Sequence, residues 1–209
     1  MRLTAGLALF GLCLALLVKA DLGADPWTVL TQGLAAVTGL TLGQVVIAVS
    51  LVLLASWIPL RQRPGPGTVA NALLVGPFLD LCLTWLPAPH HLAGRVAFLG
   101  AAVIGVAVAT GLYVGAGWGA GPRDGLMTGL AERGVPVVVA RAGIELTVLG
   151  AGWLLGGRVG VATVVFALGI GPLVGYALRR LRLPPSGPPS AAPPVPPTTP
   201  PAGVADPHG

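Results

Sequence analysis

Five ionisable side chains in this 209-residue chain stand where charge is otherwise scarce. Arg123 and Asp124 follow Pro122 in the stretch WGAGPRDGLM, between two long apolar runs. Arg141 and Glu145 are four residues apart, a spacing that puts both on one face of a helix. Asp80 lies three residues beyond Pro77 with no charged neighbour, and Asn71 precedes it in the same apolar segment. Such groups can recognise ligands and carry protons: a guanidinium holds an anionic group, and a carboxylate without a partner takes up a proton. No P-loop, HExxH, GxSxG or paired catalytic carboxylates accompany them, so no enzyme is indicated.

The elements that must position these residues are greasy. Hydrophobic residues make up 54% of the chain and charged residues 9%, against roughly 25% charged in soluble domains. Apolar runs recur near residues 3–20, 40–60, 68–87, 95–117, 136–157 and 159–180, each near the ~20 residues a bilayer demands. The pattern predicts an all-α membrane protein with about six transmembrane helices within residues 1–183. A β-barrel would need alternating segments of ~10 residues. The lipid bilayer is therefore the first partner.

The net charge of +5 is an orientation signal. With the N-terminus and C-terminus cytoplasmic, Arg2, Arg61, Arg63, Arg123, Arg133, Arg179, Arg180 and Arg182 face the cytoplasm. Lys19, Arg95 and Arg158 then face outward, and Arg141 lies within a span. That is the positive-inside bias of a multi-pass membrane protein; no nucleic-acid partner is required. Trp27, Trp57, Trp85, Trp118 and Trp153 fall near span ends, where indole rings prefer the headgroup layer. The first 24 residues imitate a secretory signal, but their later counterpart argues for retention. Cys13 and Cys82 lie in apolar spans, and no disulfide or redox role is expected. His90 and His91 have no Cys, Asp or Glu nearby and make a poor metal site; no metal or cofactor is implied. Residues 184–209 are rich in proline and read as a disordered cytoplasmic tail of polyproline bias.

The chain repeats itself. GADPWTVLTQGL (23–34) aligns with GAGPRDGLMTGL (119–130) at an offset of 96, which Trp57 and Trp153 keep. GPGTVANALLVGP (65–77) aligns with GVATVVFALGIGP (160–172) at 95. Ordered matches of this kind mark a duplicated unit, here about 3–87 and 95–180. Each unit holds three spans and one short helix. An odd number of crossings sends the second unit in from the opposite side, giving inverted three-helix repeats of the kind many secondary transporters use.

The short helices should begin at Pro26 and Pro122, because proline suits the first helical position. They read as interfacial or re-entrant, with Asp25 and Gly121 as caps. Arg123 and Asp124 then fall in a first turn, either as a structural pair at the interface or as a contact at a cavity mouth. Gly76–Pro77 and Gly171–Pro172 sit at matching places in the third span of each unit. Paired helix breaks of this sort point to a midplane site, though plain kinks are also allowed. Thr68 and Thr163 are expected to cap those spans. Charge at mid-membrane costs at least about 2.5–3.5 kcal/mol, so Asp80, Arg141 and Glu145 should face the bundle interior. Asp80, lacking a local partner, is the leading proton-coupling candidate, with Glu145 beside it; Arg123 or Arg141 would hold an anionic group. GxxxG spacings, among them Gly39/Gly43 and Gly171/Gly175, predict close helix approach.

Taken together, GAGPRDGLM, ARAGIEL and GWLLGGRVGVATVVFALGIGP resemble the YczE/YitT-type family of bacterial integral membrane proteins over about residues 6–178. The sequence departs at Ala162, where the family pattern more often has glycine. The family is functionally uncharacterised, so the resemblance implies a multi-pass inner-membrane protein and no particular activity. From the residues themselves, the expected function is a small-molecule or ion transporter with its site at the repeat interface. The alternative is a non-transporting accessory or scaffold protein. A homo-oligomer is compatible with either.

Overall fold

The computed structural model describes residues 2–119 and 121–181. Eight helices follow in order: α1 (Arg2–Ala20), α2 (Pro26–Thr38), α3 (Leu42–Leu60), α4 (Pro66–Trp85), α5 (Leu92–Gly115), α6 (Pro122–Ala131), α7 (Val137–Leu154) and α8 (Val161–Leu181). All of these except α2 and α6 are long and apolar enough to cross a membrane. The chain is a multi-pass α-helical membrane protein. The expected tail, residues 184–209, lies outside the described residues.

The short helices are short for local reasons. Asp25 caps α2, its carboxylate accepting from the Thr28 N–H at 3.3 Å, with Pro26 in the first turn. Gly39, in the left-handed region at φ +72°, ends it. The 13 residues of α2 and 10 of α6 extend about 20 and 15 Å at 1.5 Å per residue, too little for a hydrocarbon core of ~30 Å.

α1 and α5 lie against each other at the centre. Leu7, Leu14 and Leu17 of α1 are fully buried, as are Ala102 and Ala109 of α5. In lipid such packing holds helices together by shape, because tails outside are as apolar as leucine. α4 flanks α1 and α8 flanks α5; α2 packs on α7, and α6 on α3. Exchanging α1–α4 with α5–α8 leaves most of these pairings unchanged.

Two hydrogen bonds make that exchange concrete. The Gly67 N–H donates to the Trp118 carbonyl at 2.8 Å, and the Ala162 N–H donates to the Leu22 carbonyl at 2.9 Å. These are matching positions in the internal repeat. At both joints glycines touch: a Cβ on Gly65 would strike the Trp118 carbonyl, and one on Gly160 the Leu22 carbonyl. Gly23 and Gly119, at φ +97° and +116°, turn the chain there.

The ends of the bundle are distinct. Asp21, after α1, pairs with both Arg95 and Arg158, which gathers the α1–α2 link, the first turn of α5 and the α7–α8 link at one end. At the other, Gln62 donates to Glu132 at 2.6 Å, and Arg2 donates to the Leu181 carbonyl at 3.2 Å.

Several expectations are corrected. α4 and α8 run on through Pro77 and Pro172, so Gly76–Pro77 and Gly171–Pro172 interrupt neither helix; a missing donor costs one bond and neighbours tolerate it. Thr68 and Thr163 sit in the first turn rather than before it, where their hydroxyls accept from the Gly65 and Gly160 N–H groups. Trp27 and Trp57 are buried in the bundle, whereas Trp85, Trp118 and Trp153 are exposed. Gly171 and Gly175 meet nothing a Cβ would touch, and Gly39 is a cap. Cys13 and Cys82 remain free thiols.

Candidate functional site

The two short helices aim their N-termini at each other in the middle of the molecule. Asp25 at the cap of α2 pairs with Arg123 in the first turn of α6, Nη1 to Oδ2 at 3.6 Å. The Arg123 guanidinium also lies over the Trp27 ring, 5.0 Å from its centroid, within cation–π range. Trp57 fixes α6 from α3: its Nε1–H donates to the Pro122 carbonyl at 3.0 Å. Its ring fills the space a side chain at Gly125 would need. Glycine is required there because the indole presses on the α6 backbone.

Around this meeting point is a cavity of about 190 Å³ to which every helix contributes. That is room for about six waters at ~30 Å³ each, or a small organic group. Its polar lining includes Asp25, Asn71, Tyr113, Arg123, Asp124, Arg141 and Glu145. Arg141 and Glu145 form the expected pair on α7, Nε to Oε1 at 2.9 Å. Asp124 is packed within the protein, yet its surface is open, because the open space beside it is the cavity itself.

The charges do not balance. Arg123 is answered by Asp25 and Arg141 by Glu145, while Asp124 makes no ion pair among the described residues. Burial pushes its carboxyl above the ordinary carboxylate range; Arg123, the Gly121 N–H and Arg141 oppose that rise in decreasing order. Burial likewise pulls Arg123 down, opposed by Asp25, Tyr113 and Asp124. The N-terminus of α6 offers Asp124 about half a unit charge, so the cavity holds one carboxyl group more than its ion pairs use.

Asn71, Arg123, Asp124, Arg141, Glu145 and Gly171 are thus brought together. Asp80 is not. Its carboxylate accepts from the Thr41 hydroxyl at 2.5 Å and the Gly43 N–H at 2.8 Å, which clamps the start of α3 to α4. The partner Asp80 needs is a helix N-terminus, where a carboxylate is stabilised by exposed N–H groups and the dipole. Gly76 faces α3 at Gly43 and Pro77 is exposed; Gly171 lines the cavity and Pro172 does not. Sequence reasoning gave Trp27 and Trp57 only a headgroup role and passed over Tyr113. Trp27 was detectable, being the residue that matches Arg123 in the repeat, and Tyr113 is one of only two tyrosines. No metal-holding group of three or more His, Cys, Asp or Glu residues occurs among the described residues.

The fold and cavity define a helical membrane protein with a polar centre inside an apolar shell. The family model for the family of unknown function DUF6198 matches residues 1–179, and the chain belongs to that family. It is 38% identical over 180 residues to an uncharacterized protein of Haemophilus influenzae, covering 85% of this chain and 83% of that one. It is 36% identical over 172 residues to the uncharacterized membrane protein YczE of Bacillus subtilis, covering 81% and 79%. No solved structure matches it.

Proposed function

We propose that this protein carries a small polar molecule or ion across the membrane, with the cavity at the meeting of α2 and α6 as its binding site. The observation that carries the reading is charge without closure. Five aspartate, glutamate and arginine side chains face one space of about 190 Å³, where a purely structural bundle would seal each pair locally. Burying charge in a membrane is costly, and polar groups at that depth mark substrate or ion paths. An accessory protein has no use for the void; a transporter does.

The inverted repeat belongs to the same proposal. Each unit has three spans, so the second enters from the opposite side. The reciprocal Gly67–Trp118 and Ala162–Leu22 bonds suit units related by a two-fold axis, as in isologous pairs. Half-helices that meet by their N-termini between such repeats are a transporter device. Within the site Arg123 and Asp25 hold the two short helices together, Arg141 and Glu145 form the wall on α7, and Asp124 meets the substrate or a proton. The bacterial inner membrane with cytoplasmic termini remains the proposed setting.

The test is uptake into proteoliposomes, with candidates first chosen by thermal stabilisation across a metabolite collection, since a ligand of the folded state raises its apparent stability. Asp124→Asn and Arg141→Ala should abolish uptake while the protein still elutes as a folded species. Uptake unchanged in both variants rules the site out.

A further inference from the structure

The polar cavity has an apolar annex. A groove of about 770 Å³ runs between α3 and α7, in the space that α2 and α6 are too short to fill. Leu34, Val52, Leu130 and Ile144 are among its walls. Its two threonines offer nothing to a polar ligand: the Thr38 and Thr147 hydroxyls each donate to their own helix, to the Leu34 and Gly143 carbonyls, at 2.7 Å. The groove opens sideways, because Val52 and Val139 on its walls are 70% and 59% exposed. In a membrane protein that outward face meets lipid tails.

Groove and cavity share a wall. Trp27 borders both. α7 turns Ala140 and Ile144 toward the groove and Arg141 and Glu145 toward the cavity. A molecule with one polar end and one hydrocarbon end could therefore occupy both at once. The acidic group without an ion-pair partner in the cavity is Asp124, whereas both arginines already have carboxylate partners.

We propose that the ligand is an amphipathic amine, its ammonium group set against Asp124 in the cavity and its alkyl chain laid in the α3–α7 groove, entering past Trp27 from the bilayer. A fatty anion would meet an excess carboxylate, and a fully polar solute would leave the groove unused. The inference deepens the proposed site and rests on its being a ligand site.

The experiment reads binding without requiring transport. The full chain in nanodiscs of phosphatidylethanolamine and phosphatidylglycerol is photolabelled with dodecylamine carrying a diazirine near its chain end. Dodecanoic acid with the same diazirine is the control, and adducts are mapped by mass spectrometry. Amine adducts should concentrate on α3 and α7 groove residues, about tenfold above those of the acid, the scale of one charge-assisted contact. Asp124→Asn should remove that preference. Gly143→Leu should block groove labelling with the fold intact, because a Cβ at Gly143 meets no neighbour and the position lines the groove. Equal labelling by acid and amine, adducts spread evenly over the outward faces of α5 and α8, or indifference to Gly143→Leu would overturn the proposal. Specific labelling with no amine uptake supports this site and overturns transport; uptake of another solute with no specific labelling does the reverse.

Discussion

In the first half of the molecule α3 lies along α4; in the second, their counterparts α7 and α8 barely touch. The difference is written at three matched positions. Gly43 lets α3 approach the Gly76 carbonyl, so closely that a Cβ would clash; the repeat puts Val139 there. Thr41, whose hydroxyl meets Asp80, becomes Val137, and Asp80 itself becomes Gly175. The first half keeps a clamp of one close backbone contact and two hydrogen bonds, and the second has none of its parts. The gap left between α7 and α8 is filled by the cavity, to which Arg141 and Glu145 contribute from one side and Phe166 and Ile170 from the other. Of two halves with the same helix order, one is sealed at this place and the other left ajar.

The largest effect that would break this comparison is at Gly43. Gly43→Leu should destabilise by about 3 kcal/mol, in the upper range for overpacking, whereas Gly171→Ala, at the site matching Gly76, should cost well under 1 kcal/mol because its Cβ meets nothing. Thermal unfolding in detergent compares the two directly, and equal costs would mean that α7 and α8 pack after all.

Asp80→Asn should come next. It weakens charge-assisted bonds at the start of α3, each worth roughly 1.5–3 kcal/mol, so unfolding should shift by about 2 kcal/mol while ligand binding persists. Loss of binding without loss of stability would return Asp80 to the site. Spin labels sharpen the contrast further. In a chain with Cys13 and Cys82 replaced by alanine, the exposed positions Leu146 and Leu168 report α7 to α8, and Leu51 and Leu81 report α3 to α4. Ligand should narrow the first distance and leave the second alone.

The smallest effect is with pH. Burial holds Asp124 above its unfolded value, so the native state binds more protons than the unfolded chain across the interval between the two. Stability should therefore decline as pH rises through that interval, beginning near the unfolded value of about 3.9. Asp124→Asn should flatten the decline. Arg123, Arg141, Tyr113, Asp25 and Glu145 face the same space, and their pairings limit its size. A slope unaltered by the substitution would place the titration elsewhere.

The helices were legible because hydrocarbon thickness and proline at the first turn leave little freedom: the spans, the starts at Pro26 and Pro122, and the Arg141–Glu145 pair all follow from spacing. Asp80 shows where sequence runs short. With no partner nearby in the chain it had to find one across the bundle, sit in a wet cavity or be protonated; the first holds, with the Thr41 hydroxyl and a backbone N–H at Gly43 as partners, and backbone donors leave no mark in a residue string. Trp27 and Trp57 mislead in the same way, since an indole suits a headgroup layer as well as a guanidinium or a carbonyl. That α7 stands off from α8 could not be read from Gly171 and Gly175, whose spacing permits contact without requiring it.

The paired bonds from Gly67 to Trp118 and from Ala162 to Leu22 have an implication for assembly. Each half owns a donor and an acceptor of one pattern, so a polypeptide of half this length would already hold both faces of the seam. Such a half-chain carries the donor and the acceptor needed to close on a copy of itself, whereas a Gly–Asp clamp confined to one side needs both halves in a single chain.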